Sequence, residues 1–299
     1  MEYVDGPVRV RVPASSANLG PGFDSLGLAL GLHDVVAGEV SGAELVITAE
    51  GEGSDELPRD ETHLVHRAMV RGFDALGAAP PGLRLHCVNS IPHGRGLGSS
   101  SAAIVGGLAL ARALVVDGDR RLDDQALFGL AAKMEGHPDN VAPAVFGGFT
   151  VAYACDDDFA AVRLEVTSPV AFVALVPSEP LHTEVARGLL PTTVSHADAS
   201  FNAGRAALLV AALTGRPDLL LSATEDRLHQ GYRAAAMPDS AELIAALRAD
   251  GLAAVLSGAG PTVLALADRG QVAHVVGLAP AGWSATELEL DRSGVRVLP

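Results

Sequence analysis

The stretch Pro92-His93-Gly94-Arg95-Gly96-Leu97-Gly98-Ser99-Ser100-Ser101-Ala102-Ala103 constrains this chain more than any other. Before it, Leu83, Leu85 and Cys87 alternate with Arg84, His86 and Val88, close to the period of a strand. After it, Ala103, Ile104, Leu108, Leu110, Ala111 and Leu114 continue an apolar helix, and Ser99 to Ser101 are suited to cap its start. Such a junction gathers free backbone N–H groups and the positive end of a helix dipole at one place, and both favour an anion. Gly94, Gly96 and Gly98 remove the Cβ atoms that would hold a phosphate off the backbone. Three hydroxyls at the helix mouth are able to donate to phosphate oxygens or to ligate Mg²⁺. The plainer reading is a tight turn with a serine cap.

The common phosphate loops do not match. A Walker A loop needs Gly-Lys-Ser/Thr, and the one lysine of the chain is Lys133. A dinucleotide fingerprint starting at Gly94 would need glycine at Ser99, and a nucleophile elbow would need glycine at Ala102.

Pro-x-x-x-Gly-Leu-Gly-Ser-Ser resembles instead the phosphate-loop signature of the GHMP small-molecule kinases. Two further stretches make the resemblance most specific to the homoserine kinase branch of that family, and the three motifs follow the family's order along nearly the whole chain. The first is Pro13-Ala14-Ser15-Ser16-Ala17-Asn18-Leu19-Gly20-Pro21-Gly22-Phe23-Asp24, read as an irregular loop after a strand at Val8 to Val12 that Pro13 ends. Taken alone, Asn18 and Asp24 suit satisfaction of the loop's own backbone; the resemblance implies that they reach the amino alcohol substrate. The second is Glu135-Gly136-His137-Pro138-Asp139-Asn140-Val141-Ala142-Pro143. Glu135 stands at a helix C-terminus, where the dipole disfavours an anion, so it is either a solvated surface side chain or a group held there for another purpose. Asp139 and Asn140 also suit caps for a short following helix. A zinc cluster around Glu135 and His137 is discounted for want of matching ligand pairs. The resemblance implies that Glu135 ligates Mg²⁺ and that His137 contacts the amino acid. Where several relatives place a base Asp, this chain offers Asn140.

Further along, Leu181-His182-Thr183-Glu184-Val185-Ala186-Arg187 and Glu225-Asp226-Arg227-Leu228-His229-Gln230-Gly231-Tyr232-Arg233 resemble segments whose arginines grip a substrate carboxylate. A surface ion pair is the plainer role for each; the planar guanidinium fork suits both carboxylate oxygens. Ser257-Gly258-Ala259-Gly260-Pro261-Thr262, between strands at Leu252 to Leu256 and Val263 to Ala267, resembles the third family motif, which packs against the phosphate loop. Its plainer reading is a hairpin turn. Other expected elements are strands at Leu26 to Leu32, Leu45 to Ala49 and Val170 to Val176, and helices at Glu61 to Leu76, from Asp123 to Lys133, and at Ala199 to Leu213.

Composition narrows the partners. A formal net charge of -15 argues against nucleic acid and against an anionic membrane. The longest apolar stretch, Ala102 to Val116, is interrupted by Arg112 and is short for a span. The first residues carry no apolar signal region, and two cysteines, Cys87 and Cys155, make no framework, which fits a reducing cytosol and a cytoplasmic location.

The resemblance implies an α+β fold of two domains: residues 1–160 as a ribosomal protein S5 domain 2-like, ATP-binding N-terminal domain, and 161–299 as a ferredoxin-like C-terminal domain. The acidic run Asp156-Asp157-Asp158 is the expected start of the connection between them. It implies an ATP-dependent kinase that phosphorylates the side-chain hydroxyl of L-homoserine, a step of threonine biosynthesis, and leans to a homodimer. ATP would be held by Pro92, His93, Gly94, Arg95, Gly96, Leu97, Gly98, Ser99, Ser100, Ser101 and Ala102. Mg²⁺ would lie on Ser99 or Ser100 with Glu135. The substrate would meet Asn18, Asp24, His137, Arg187 and Arg233, with Asn18, Asp24, Glu135 and Asn140 as the catalytic group. No strong general base is expected, and Asp139 is expected to cap the turn after it. Two rivals are a GHMP kinase for an isoprenoid alcohol such as mevalonate, and a non-catalytic nucleotide sensor on the same fold. The absence of a lysine in the first motif and the two matched arginines weigh against the first; the retained Glu135 and serines weigh against the second.

Overall fold

The computed structural model describes residues 1–156, 158–181 and 183–299. The first half runs β1 (Val8–Ala17), β2 (Leu26–Val40), β3 (Leu45–Gly51), α1 (Leu64–Leu76), β4 (Leu83–Asn89), α2 (Ser99–Leu114), α3 (Gly118–Arg121), α4 (Asp124–Glu135), α5 (Val141–Phe146), β5 (Phe149–Cys155) and β6 (Asp158–Leu164). The second half runs β7 (Val170–Val176), α6 (Thr183–Gly188), α7 (His196–Thr214), α8 (Leu220–Ala223), α9 (Gln230–Arg233), α10 (Pro238–Ala249), β8 (Ala253–Leu256), β9 (Val263–Asp268), α11 (Val272–Gly277), β10 (Ser284–Leu288) and β11 (Arg296–Leu298).

With 15 residues, β2 is long enough to serve two neighbours on one edge. Its Val35–Val40 half pairs with β4, and its Leu26–Leu28 end pairs with β5, which carries β6. The resulting sheet reads β11-β1-β2-β4-β3 with the β5–β6 hairpin as a branch. Among the described residues only β3 and β4 pair in parallel within it, and α1 forms the crossover between them. The last strand, β11, comes back from the C-terminus to lie antiparallel on β1.

The second sheet is antiparallel, in the order β10-β7-β9-β8. With α7 after β7 and α11 after β9, it has the strand–helix–strand–strand–helix–strand order of a ferredoxin-like unit. Period two divides β7 between two cores. Val173 and Leu175 pack with Leu243, Leu247 and Val275 of α10 and α11, whereas Phe172 and Ala174 join the main core with Leu209 and Leu213 of α7.

Helix α2 is apolar on every side and is buried accordingly, between the first sheet and α1. Glycines set its distance from both. A Cβ on Gly107 would lie 2.4 Å from the Val65 carbonyl oxygen and 2.7 Å from the Ala68 Cβ, and one on Gly106 would lie 2.8 Å from Val36 of the sheet.

Four local expectations are corrected. Pro13 does not end β1. The strand continues to Ala17, with a register shift between Pro13 and Ala14 that absorbs the missing N–H. Helix α1 starts at Leu64 rather than Glu61, after a turn in which Asp60 accepts from the Thr62 N–H. The start of α2 is not capped by a serine: Gly98 holds the cap position in the left-handed region, with no side-chain bond. The acidic run turns a hairpin, Asp158 pairing back on Cys155; Asp157 lies outside the described residues, and the chain passes between the sheets at 165–169.

One buried carboxyl fixes the exit of β4 toward the glycine loop. Asp34 of β2 accepts from the N–H groups of Ser90 (2.6 Å) and Ile91 (2.9 Å). Burial pushes its carboxyl up to about 6, with those two N–H groups and the neighbouring His33 working against the rise.

Two stability measurements follow from this packing. Gly107→Ala should force α1 and α2 apart and cost about 1–3 kcal/mol, a fall of several degrees in Tm; an unchanged Tm would refute the close crossing. Because the folded-state pKa of Asp34 lies above 3.8, its favourable contribution is present below about pH 4 and is lost as pH rises through about 6. Asp34→Asn keeps the accepting oxygen. Relative to wild type it should therefore gain on the order of 2 kcal/mol between pH 4 and pH 7 in denaturant titrations; a difference that does not vary with pH would contradict the raised value.

Candidate active site

The loop between β4 and α2 holds Gly94, Gly96 and Gly98 at φ +64, +76 and +71. Two of them are required by space as well as by conformation. A Cβ on Gly96 would stand 2.2 Å from the Ser257 carbonyl oxygen, and one on Gly98 2.0 Å from the Ser15 Oγ. The loop is held by its carbonyls. Gly94 O accepts from Leu181 N (2.8 Å), Arg95 O from Thr262 N (3.2 Å) and Leu97 O from Ser15 N (3.0 Å). Gly96 O accepts from the Ser257 hydroxyl at 2.6 Å. By contrast, among the described residues no backbone N–H of Gly94 to Ser100 donates to a backbone or side-chain acceptor. The loop therefore presents a run of uncommitted donors at the mouth of the 16-residue helix α2.

Not every loop residue faces that opening. Leu97 is buried in the core, and Ser101 and Ala102 lie within α2. Arg95 donates to the carbonyls of His93, Pro177 and Ser178, so its guanidinium fastens the loop to the end of β7. Gly94, Gly96, Gly98, Ser99 and Ser100 line a cavity of about 450 Å³.

On the same cavity, Glu135 closes α4 and accepts from the hydroxyls of Ser100 (2.6 Å) and Ser101 (2.8 Å). Thus Ser100 and Ser101, rather than Ser99, meet this carboxylate, and the reading of Glu135 as a solvated surface group is excluded. The three side chains form an all-oxygen donor set beside an anion cradle. That fits Mg²⁺, which is commonly held by one or two carboxylates together with phosphate oxygens and water. His137 bonds through Nδ1 to Asp139 Oδ1 at 2.7 Å, and its Nε2 lies 3.9 Å from Glu135. Burial disfavours the imidazolium, but the hydrogen bond and charge of Asp139, with Glu135 behind, outweigh it and hold the His137 pKa above its ordinary value. Asp139 is thus the partner of His137, where a cap of the next turn was expected. Asn140 accepts from the Ser15 hydroxyl at 2.9 Å through Oδ1 and makes no side-chain cap for α5.

The opposite wall carries the charges. Asn18, at φ +66, is committed at both ends of its amide: Nδ2 donates to Gly258 O (2.8 Å) and Oδ1 accepts from Asp24 N (3.0 Å). Asp24, at φ +53, pairs through both oxygens with Arg187 of α6, at 2.7 and 3.3 Å. Arg233, in α9, is 1% exposed. It donates to Ala186 O, Gly258 O and His229 Nδ1 at 3.1–3.3 Å. Burial, and next the charge of Arg187, depress its pKa. His229 donates from Nε2 to Gly20 O at 2.7 Å, which leaves Nδ1 as the acceptor for Arg233. Phe23 lies against both guanidinium groups, 5.8 Å from Arg187 and 5.6 Å from Arg233. In the segment before Arg187, His182 lies outside the described residues. All of the expected substrate residues except Asp24 line the cavity directly, and Asp24 reaches it through Arg187.

A second pocket, about 240 Å³, was not legible in the sequence. It adjoins the first through Ser99 and Ser100, and its walls are mainly apolar, including Val36, Leu64, Val65 and Ala103. His63 lines it, is 2% exposed, and has no partner at either ring nitrogen among the described residues. Burial holds its pKa down, so the ring is neutral. The available signal was period two: Val36 of β2 is in register with Cys87 of β4, which puts Asp34, Val36, Cys87 and Asn89 on one face.

Known proteins bear on this arrangement. The GHMP kinases N terminal domain family matches residues 63–148, and the GHMP kinases C terminal family matches 208–277. A homoserine kinase of Streptomyces avermitilis is 58% identical over 98% of this chain and 96% of its own length. One of Mycolicibacterium smegmatis is 50% identical over 95% and 93%. The crystal structure of homoserine kinase from Cytophaga hutchinsonii superposes with a TM-score of 0.86 at 25% identity, covering 100% of this chain and 99% of that one. A mevalonate diphosphate decarboxylase from Staphylococcus aureus shares the fold alone, with a TM-score of 0.68 at 13% identity over 98% of each chain. Loop, carboxylate and charged wall thus stand in a chain that belongs to the GHMP kinases, in their homoserine kinase branch.

Proposed function

We propose that this chain transfers the γ-phosphoryl group of ATP to the side-chain hydroxyl of L-homoserine, giving O-phospho-L-homoserine for threonine biosynthesis. The observation that carries the reading is the make-up of one cavity: uncommitted N–H donors and Glu135 on one wall, two arginines on the other. Family membership supports it. The two rivals fare worse. An isoprenoid acceptor has no ammonium for Asp24, and a sensor has no need of Glu135.

The triphosphate lies on the N–H groups of Gly94 to Ser100 and on the start of α2, which bind anions without a lysine. The base occupies the pocket of His63, whose bare ring nitrogens suit the polar edge of adenine. Glu135 with Ser100 and Ser101 would hold Mg²⁺, and the ion, when bound, neutralises charge on the phosphate oxygens. Asp24 takes the α-ammonium of homoserine, and Arg187 and Arg233 take its carboxylate. His137, fixed by Asp139, which holds its pKa above the ordinary value, faces the same cavity as the transferring group.

Phosphoryl transfer depends mostly on positioning and charge, so the acceptor hydroxyl needs orientation more than an early base. Asn140 cannot take a proton at neutral pH, and it is fixed by Ser15. Asn18 contributes by holding the loop that carries Asp24 to Gly258. The two sheets, with the chain crossing at 165–169 and β11 returning to the first, form the two domains around this cleft in place of a division at 160/161, and we take the enzyme to be cytoplasmic and, by family analogy, a homodimer. No helix among the described residues is long and apolar enough to cross a membrane.

ATP turnover with and without L-homoserine tests the reading: ADP release should depend on homoserine, and release that ignores it would defeat the assignment. Glu135→Gln, which keeps the serine contacts and loses the charge, should lower kcat by about a hundredfold or more at unchanged Tm. Wild-type turnover would remove Glu135 from the machinery. His63→Leu should raise KM for ATP several-fold and leave KM for homoserine near wild type; equal effects on both would show that the base does not sit in this pocket.

A further inference from the structure

Asp24 and Arg187 are each assigned one end of the substrate, yet here each is the other's ligand. The pair is bidentate, at 2.7 and 3.3 Å. Each side chain is 36% exposed, so the pair borders the cavity without being sealed in. Among the described residues Arg187 donates to no acceptor except Asp24, and Asp24 accepts from no donor except Arg187. Arg233 differs. It is buried and held by three acceptors, and among the described residues it has no carboxylate within ion-pair distance.

We infer that the Asp24–Arg187 pair selects zwitterions by exchange. This inference rests on the reading of the cavity as the homoserine site. An α-ammonium takes the place of Arg187 at Asp24, and an α-carboxylate takes the place of Asp24 at Arg187, with Arg233 as the fixed second cation. One ion pair is replaced by two, and neither protein charge loses its partner. A ligand carrying only one of the two charges has to break the same pair and leaves Asp24 or Arg187 uncompensated beside an apolar ring, Phe23. The pair is thus a specificity determinant. It admits an α-amino acid and excludes hydroxy acids and amino alcohols of the same length, although each of these matches half of the site.

Two truncated ligands test the exchange: 4-hydroxybutanoate, which lacks the ammonium, and 3-aminopropan-1-ol, which lacks the carboxylate. Their affinities and that of L-homoserine are measured by calorimetry on the full chain in about 0.5 M salt, where repulsion between separated charges is screened. Wild type should bind both truncated ligands at least a hundredfold more weakly than homoserine. In Asp24→Asn, homoserine should weaken at least tenfold, whereas 4-hydroxybutanoate should tighten about tenfold because Arg187 no longer has to leave a partner. Arg187→Gln should give the mirror result, with 3-aminopropan-1-ol gaining. Asparagine tolerates the left-handed backbone at position 24, and Arg187→Gln reads the exchange independently should that variant fold poorly. If wild type binds homoserine but each folded variant binds its truncated ligand no better than wild type does, the side chains are independent contacts and the exchange is wrong. If wild type binds no homoserine, the substrate reading fails first, and the exchange falls with it.

Discussion

The close approach of two bare backbones is the constraint on which this molecule depends. Gly96 meets the turn after β8 at a separation no side chain permits, a Cβ there falling 2.2 Å from the Ser257 carbonyl oxygen. The Ser257 hydroxyl bonds both the Gly96 carbonyl and the Ser16 hydroxyl, at 2.6 and 2.8 Å. Strand β1, the glycine loop and the second sheet therefore converge on one serine. That convergence engages the loop's carbonyls and leaves its N–H groups uncommitted. A buried loop with both sets free would be costly, and one with both sets satisfied would bind nothing. The anion cradle is thus a property of how the two halves dock, although its residues all come from the first half.

The same economy explains how a chain with net charge -15 receives a polyanion. Its one lysine, Lys133, is on the surface, 3.1 Å from Asp158. Of the two arginines that line the cleft, Arg187 is neutralised by Asp24. On the proposed reading, dipoles supply the field for phosphate, and Arg233, which has no carboxylate partner among the described residues, is kept for the substrate. Keeping it so takes a specific neighbour. His229 donates to the Gly20 carbonyl and accepts from Arg233, a tautomer available only to a neutral ring, and burial depresses its pKa accordingly. Through this ring the loop of Phe23 and Asp24 and the Arg233 guanidinium are set by the same contact.

How much of this the sequence disclosed varied with the range of the interaction involved. The strand, glycine loop and α2 were legible because period, turn chemistry and helix signals lie in one contiguous stretch from Leu83 to Leu114. Pro13 misled because a lone proline is compatible with a bulge as well as with a strand end, and only the register of β2 decides between them. The three serines misled because a cap and a bond to Glu135 compete for the same hydroxyls, and Glu135 lies 35 residues away from Ser100. Asp156 and Asp158 looked like a linker because acidic turns and acidic linkers have the same composition. Period two in β2 and β4 hinted at one wall of the His63 pocket, but the pocket exists only once those strands are in register beneath α1 and the loop.

The fates of the polar residues separate frame from recognition. Asn18 and Asn140 look like ligand contacts in the sequence, but the Asn18 amide is committed at both ends and the Asn140 oxygen is taken by Ser15. Amides and hydroxyls are spent on joining loops, where one geometry is needed and no charge has to change hands. The cations that line the cavity from the second half are Arg187, held by a carboxylate, and Arg233, held by carbonyls and a neutral imidazole. A guanidinium bound to neutral acceptors keeps its charge available, whereas one bound to a carboxylate offers it only in exchange. On the exchange inferred above, one of each beside Phe23 makes a site that draws in an acid and stays closed to any acid that brings no cation with it.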